Sequence, residues 1–169
     1  MRTVTFYLIA AVVAVADQIS KWSVDRSIPS YGRPVIPGLF SLTPTHNPGG
    51  AFSLFQAHPS VFVIVAVCAI VMLIGAYALR RHNDRLLCMA LALALGGAVG
   101  NLLDRARFGY VRDFFHLHNP EGRTLWPIFN IADSAITVSV VLFLYRSVFV
   151  SRAGERRHPD ASFTADEPR

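Results

Sequence analysis

The stretch "IFNIADSAITVSVVLFLY", residues 128–145, decides how the chain folds. It is apolar enough to enter a bilayer and close to the ~20 residues that a helix of 1.5 Å rise needs to cross one. Yet Asn130, Asp133 and Ser134 fall in its first turns. A carboxylate in hydrocarbon is costly, and an ionisable group kept there marks a functional site by default. The rise per residue puts Asp133 about 8 Å below the start of this span.

Working outward, the same reading finds three further spans, at residues 3–22, 60–79 and 86–103, with the opening stretch extending to 128–147. The second, "SVFVIVAVCAIVMLIGAYAL", carries no charge. Backbone groups in hydrocarbon must satisfy one another, so these spans are helices. Composition agrees. Hydrophobic residues make up 53% of the 169 and charged ones 16%, against about 25% charged in soluble domains. The mean hydropathy is +0.41. The fold class is an α-helical integral membrane protein: four transmembrane helices with a small extracytoplasmic β-containing cap, all within residues 1–150. The cap is residues 23–59, where six prolines and the run "PVIPGLFSLTPTHN" predict brief strands broken by turns. Residues 104–127 form a second outer loop with room for another short strand. The polar tail, residues 151–169, reads as disordered.

Ala14-Val15-Ala16 behind Arg2 resembles a signal-peptide cleavage site. The apolar register nevertheless continues past Asp17 to Trp22, a residue that favours the membrane interface, so the first span is expected to be retained. An even number of spans puts both termini on one side. Arg80, Arg81 and Arg85 around the second loop, with Arg2, Arg146, Arg152, Arg156 and Arg157, place that side in the cytoplasm. The opposite side carries almost as many cations, among them Lys21, Arg26, Arg105, Arg107 and Arg112. Lipid phosphate accounts for such a surplus, because guanidinium binds it through a fork of donors. The net charge of +5 fits anionic lipid. No basic helix or stacking face stands clear of the spans, which argues against nucleic acid. Cys68 and Cys88 lie at different depths in separate spans, too far apart for a disulfide, and read as packing residues.

The costly polar residues gather at one end: Asp17, Asn101, Asp104, Arg105, Asp113, Asn130 and Asp133. Bland readings exist for several. Asp104 beside Arg105 fits an interface salt bridge, Asn101 a hydrogen bond between helices, and Asp17 a helix-end residue reaching water. His116 and His118 would share one face of a strand, and with Asp113 they make a weak metal candidate with no third strong ligand at a familiar spacing. Asp113 and Asp133 resist such readings. Arg112 is next to Asp113, but on a strand it points the other way. Two close carboxylates cannot both ionise cheaply; one keeps its proton while the other acts as base. That pair activates a water and protonates a leaving amine without metal or cofactor.

Five motifs occur in sequence: "DQISKW" (17–22), "NPGGAFS" (47–53), "GGAVGNLLDR" (96–105), "VRDFF" (111–115) and "FNIADS" (129–134). Together they resemble lipoprotein signal peptidase, the signal peptidase II family, over about residues 3–150. The resemblance implies a bacterial inner-membrane aspartic endopeptidase, with no cofactor. Its substrates are prolipoproteins whose lipobox cysteine carries diacylglycerol. It implies Asp113 and Asp133 as the catalytic pair. Asp17, Lys21, Asn47, Gly49, Asn101, Asp104, Arg105 and Asn130 match the positions that support the site or the substrate; Pro48 and Gly50 fall at variable ones. A monomer in contact with membrane lipid is expected, with the active site near the outer face. Two other classes stay open on the residues alone. One is a proton-coupled carrier, although the acids trace no path across and no internal repeat is evident. The other is a structural membrane subunit whose polar residues serve only packing.

Overall fold

The computed structural model describes residues 1–49, 59–79 and 84–150. Gly50, the Arg80–Arg81 pair and the tail at 151–169 lie outside the described residues. In chain order the elements are α1 (Thr3–Ser27), β1 (Arg33–Ile36), β2 (Phe40–Asn47), α2 (Pro59–Leu79), α3 (Arg85–Phe108), β3 (Val111–His118), β4 (Thr124–Phe129) and α4 (Ile131–Tyr145). A π-helical turn, Arg146–Val150, continues α4. Each of the four long helices is apolar and long enough to cross a membrane.

The helices arrange themselves around α3, which packs on α1, α2 and α4. Small residues make this possible. A Cβ on Gly97 would come within 2.5 Å of the Ala132 carbonyl oxygen, and one on Gly100 within 2.7 Å of an Asp17 carboxylate oxygen. Glycine at these places lets backbones approach as membrane helices do. At the far end of the bundle Phe6 stacks on Tyr77, ring centroids 3.7 Å apart, over Cys88, Ala92 and Leu95. α2 shows its apolar side chains outward, with Ile64, Val71 and Met72 more than half exposed. A helix that is apolar all round belongs in lipid, not water. Cys68 is exposed on this helix, so of the two cysteines only Cys88 packs inside the protein.

The two loops form one structure. β1-β2-β3-β4 is a single antiparallel sheet in that order. β2 from the first loop pairs with β3 from the second, with Thr45 opposite Asp113 and Asn47 opposite Val111. The second loop therefore contributes two strands, where its sequence indicated one. α4 starts later than its apolar run. Ile128 and Phe129 close β4, and Asn130 is the N-cap. Asp133 is thus the third helical residue, only about 3 Å along the axis rather than 8 Å. α1 and α3 run past their apolar segments, to Ser27 and Phe108, and the longer α3 places Asp104 and Arg105 inside a helix. α3 stops where Gly109 takes a left-handed conformation, φ +78°, and its amide caps the Arg105 carbonyl.

Candidate active site

Strand alternation sets the first half of the site. Val111 and Asp113 face one way and Arg112 the other. Asn47, diagonal to Asp113 across the β2–β3 pair, donates from Nδ2 to Asp113 Oδ2 at 2.9 Å. The amide of Gly49 donates to Asn47 Oδ1 at 3.2 Å. Gly49 is itself pressed under Phe62, whose ring would lie 2.7 Å from a Cβ at that position.

A helix start sets the second half. Asn130 Oδ1 accepts the Asp133 amide at 2.9 Å, and Asp133 Oδ2 accepts the Asn130 amide at 3.3 Å, a reciprocal capping box. The remaining end of the Asn130 side chain, Nδ2, donates to Asp113 Oδ1 at 2.6 Å. Asp133 Oδ1 accepts from Asn101 Nδ2 at 2.8 Å. Asn101 Oδ1 in turn accepts from Lys21 Nζ at 2.9 Å and from Asn130 Nδ2 at 3.1 Å.

Three asparagines thus aim amide nitrogens at two carboxylates. In each, the oxygen is held by a group that can only donate: the Gly49 amide, the Asp133 amide or the Lys21 ammonium. The orientation of all three side chains follows from that pattern. Asn101 does bridge helices, but it does so between Lys21 and Asp133.

Beneath the asparagines lies a largely buried ion network. Lys21, fully buried, donates to Asp17 at 2.8 Å and Asp104 at 3.1 Å as well as to Asn101. Its three protons therefore have three acceptors. Asp17 is also fully buried, so it does not reach water. Its second oxygen accepts the Ala132 amide at 2.9 Å and so holds the N-terminus of α4. Asp104 pairs with Lys21 and Arg112, not with Arg105. Arg112 Nη2 lies 2.7 Å from its Oδ1, and the Arg112 amide donates to its Oδ2 at 2.9 Å. Arg112 also reaches Asp25 and Gln18, and Gln18 donates to Asp104 and the Gly100 carbonyl. Burial works against the Arg112 charge, but the bonds to Asp104 and Asp25 hold it above the usual arginine range. Neither Arg112 nor Gln18 was singled out for the site from sequence. The available signal was alternation: a strand that points Asp113 into the site points its neighbour into the layer behind.

Burial pushes the Asp113 carboxyl up to about 6, and the Asp133 charge pushes the same way against the bonds from Asn47 and Asn130. Among the described residues Arg105 makes only a long contact to the Asn101 carbonyl, 3.5 Å, and lies over Phe62. Its guanidinium is within electrostatic range of Asp113 and Asp133. His116 and His118 do share a face, ring centroids 5.0 Å apart. Their ring nitrogens meet Thr43, Thr124, Ser41 and the Asn119 carbonyl. Among the described residues no three His, Cys, Asp or Glu side chains are grouped to hold a metal.

Fold and site together define a helical membrane protein whose polar centre, built around two carboxylates, sits where the bundle meets its sheet. The family model described as signal peptidase (SPase) II matches residues 9–149. The lipoprotein signal peptidase of Moorella thermoacetica is 42% identical over 142 residues, 83% of this chain and 91% of that one. That of Desulforapulum autotrophicum is 40% identical over 148 residues, 84% and 90% of the two chains. A bacterial membrane enzyme solved by the in meso method at 2.3 Å superposes with a TM-score of 0.80 at 27% identity, covering 95% of this chain and 96% of its own. The chain belongs to the signal peptidase II family. It is a bacterial membrane protein and an aspartic peptidase of that type.

Proposed function

We propose that the protein removes signal peptides from diacylglyceryl-modified prolipoproteins, cutting before the lipidated cysteine. Asp113 and Asp133 share the chemistry: one carboxylate takes a proton from water while the other, protonated, donates to the leaving nitrogen. The observation that carries this reading is that one residue, Asn130, ties the two acids together: its side chain donates to the Asp113 carboxylate and caps the backbone amide of Asp133, while its own backbone amide donates to the Asp133 carboxylate. The elevated Asp113 value supports it, since a carboxyl that loses its proton only near pH 6 is suited to acid–base work. A substrate covering the site would exclude water and push that value further up. The pair titrates as a unit, so its two roles belong to the pair.

The other residues take supporting parts. Asn47, Asn101 and Asn130 hold the carboxylates, Gly49 and Lys21 hold asparagines, Asp17 holds α4, and Asp104 holds Lys21. Among the described residues Arg105 has no carboxylate partner at ion-pair distance, which leaves its guanidinium for a substrate carbonyl. A single chain supplies every one of these groups, so a monomer suffices. The arginines of the second loop and chain ends favour cytoplasmic termini, with the sheet and the carboxylates at the outer face of the inner membrane.

The test uses Asp113→Asn and Asp133→Asn, purified in detergent with a diacylglyceryl prolipoprotein. Each variant should stay folded and leave the precursor uncut, a loss of at least about a thousandfold. Mass spectrometry of the parent reaction should find the lipidated cysteine at the new N-terminus. Cleavage within tenfold of the parent by either variant would falsify the two-carboxylate mechanism. A cysteine placed at Glu121 that resists impermeant thiol reagents in cells stripped of their outer membrane would reverse the orientation.

A further inference from the structure

Several of the arginines at the sheet end are unused by the site. α1 and α3 both run towards the sheet, and their last turns border a groove of about 600 Å³ lined by Gln18, Ile19, Trp22, Arg107, Phe108 and Arg112. It lies behind β3, on the Arg112 side rather than the Asp113 side. Its wall is graded. Ile19 is 60% and Trp22 54% exposed on α1, and Phe108 faces them from α3. About 6 Å further along α1 stands Arg26, its guanidinium 4.4 Å from the Trp22 ring centroid. Arg107 is exposed and makes no hydrogen bond or ion pair among the described residues. The groove's other cation, Arg112, is matched by Asp104 and Asp25. That leaves Arg26 and Arg107, in the last turns of their helices, with no carboxylate partner among the described residues, at the polar rim of an apolar slot.

We infer that this groove binds one anionic phospholipid, its phosphate on Arg107 and Arg26 and an acyl chain along Ile19, Trp22 and Phe108. The chemistry matches part by part. Guanidinium forks suit phosphate oxygens, tryptophan sits at the headgroup level, and an apolar helix surface below it meets a hydrocarbon chain. The negative ends of two helix dipoles face this rim, so an anion is held there only by the two arginines. A zwitterionic lipid brings its own cation and gains less.

Trp22 reports the site directly. The sequence has two tryptophans, and Trp126→Phe leaves only this one. The single-tryptophan protein is placed in phosphatidylcholine vesicles containing a small, equal fraction of brominated phosphatidylglycerol or brominated phosphatidylcholine. Phosphatidylglycerol should quench Trp22 several-fold more strongly per mole. Arg107→Gln should bring the two lipids level, and Arg107→Lys should restore part of the preference. Equal quenching by both lipids in the starting protein overturns the inference, as does a full preference surviving Arg107→Gln. Peptide cleavage plays no part in the measurement, so its result stands apart from the proposed reaction.

Discussion

Asn130 donates to Asp113 at 2.6 Å with the same side chain whose oxygen caps the amide of Asp133 at 2.9 Å. The geometry of one carboxylate is thereby tied to the helix start that carries the other. Asn130→Ala removes the cap, costing about 1 kcal/mol of stability, and frees Asp113 from its shortest partner. Cleavage should fall by about a hundredfold or more while the protein stays folded. A variant that loses stability but cleaves at the parent rate would show that the shared side chain has no catalytic consequence.

The raised Asp113 value carries a pH signature. Its folded value, about 6, lies above the ordinary 3.8. The stability that goes with keeping this proton is present in full below about pH 3.8 and is lost as pH rises through 6. The difference corresponds to roughly 3 kcal/mol. Asp113→Asn should flatten the unfolding free energy between pH 4 and pH 7 relative to the parent, and cleavage by the parent should fall on its acid limb near pH 6. Parallel stability curves for the two proteins across that range would refute the shift.

Lys21 is the buried cation on which Asp17, Asp104 and Asn101 converge. Lys21→Met keeps the length but strands a buried charge, and should cost about 3–5 kcal/mol. Adding Asp17→Asn should recover part of it, because the stranded charge is then gone. Denaturant unfolding in detergent measures both, and an additive double variant would argue against a direct pair.

Gly97 is where α3 meets α4. A methyl group there meets the Ala132 carbonyl at 2.5 Å, and a backbone atom cannot swing aside. Gly97→Ala should cost about 1–3 kcal/mol and displace the turn that bears Asn130 and Asp133, reducing cleavage as well. Gly75→Ala on α2 meets nothing within 4 Å and should be neutral or stabilising by up to ~1 kcal/mol. Equal effects at the two positions would remove the close approach as the cause.

His116 and His118 already have hydroxyl and carbonyl partners, so cleavage should be indifferent to EDTA. A severalfold loss restored by a divalent cation would revive a metal at this pair.

The helices were legible because hydrophobicity over about 20 residues is a local property, and the polar residues that matter were legible because their positions are expensive. Partners were harder to read. Asp104 stands next to Arg105 in sequence, yet pairs with Lys21 from α1 and Arg112 from β3. On a helix, adjacent residues point in different directions. Pairing between β2 and β3 was invisible for a related reason. Two short loop strands, more than sixty residues apart, leave no periodic signal of their mutual register. The start of α4 was misread because Ile128 and Phe129 are as apolar as the helix they precede; the N-cap preference of Asn130 was the better boundary mark.

The sheet joins a strand made before α2 to one made after α3, and Asn130 arrives later still. During synthesis, therefore, none of the earlier pieces amounts to a working centre. A ribosome that has released everything up to Asp113 into the membrane has produced an acid with only one of its two amide donors, and no second acid. On the proposed reading, the pair of acids is complete only late in translation, once the final helix packs beside the third.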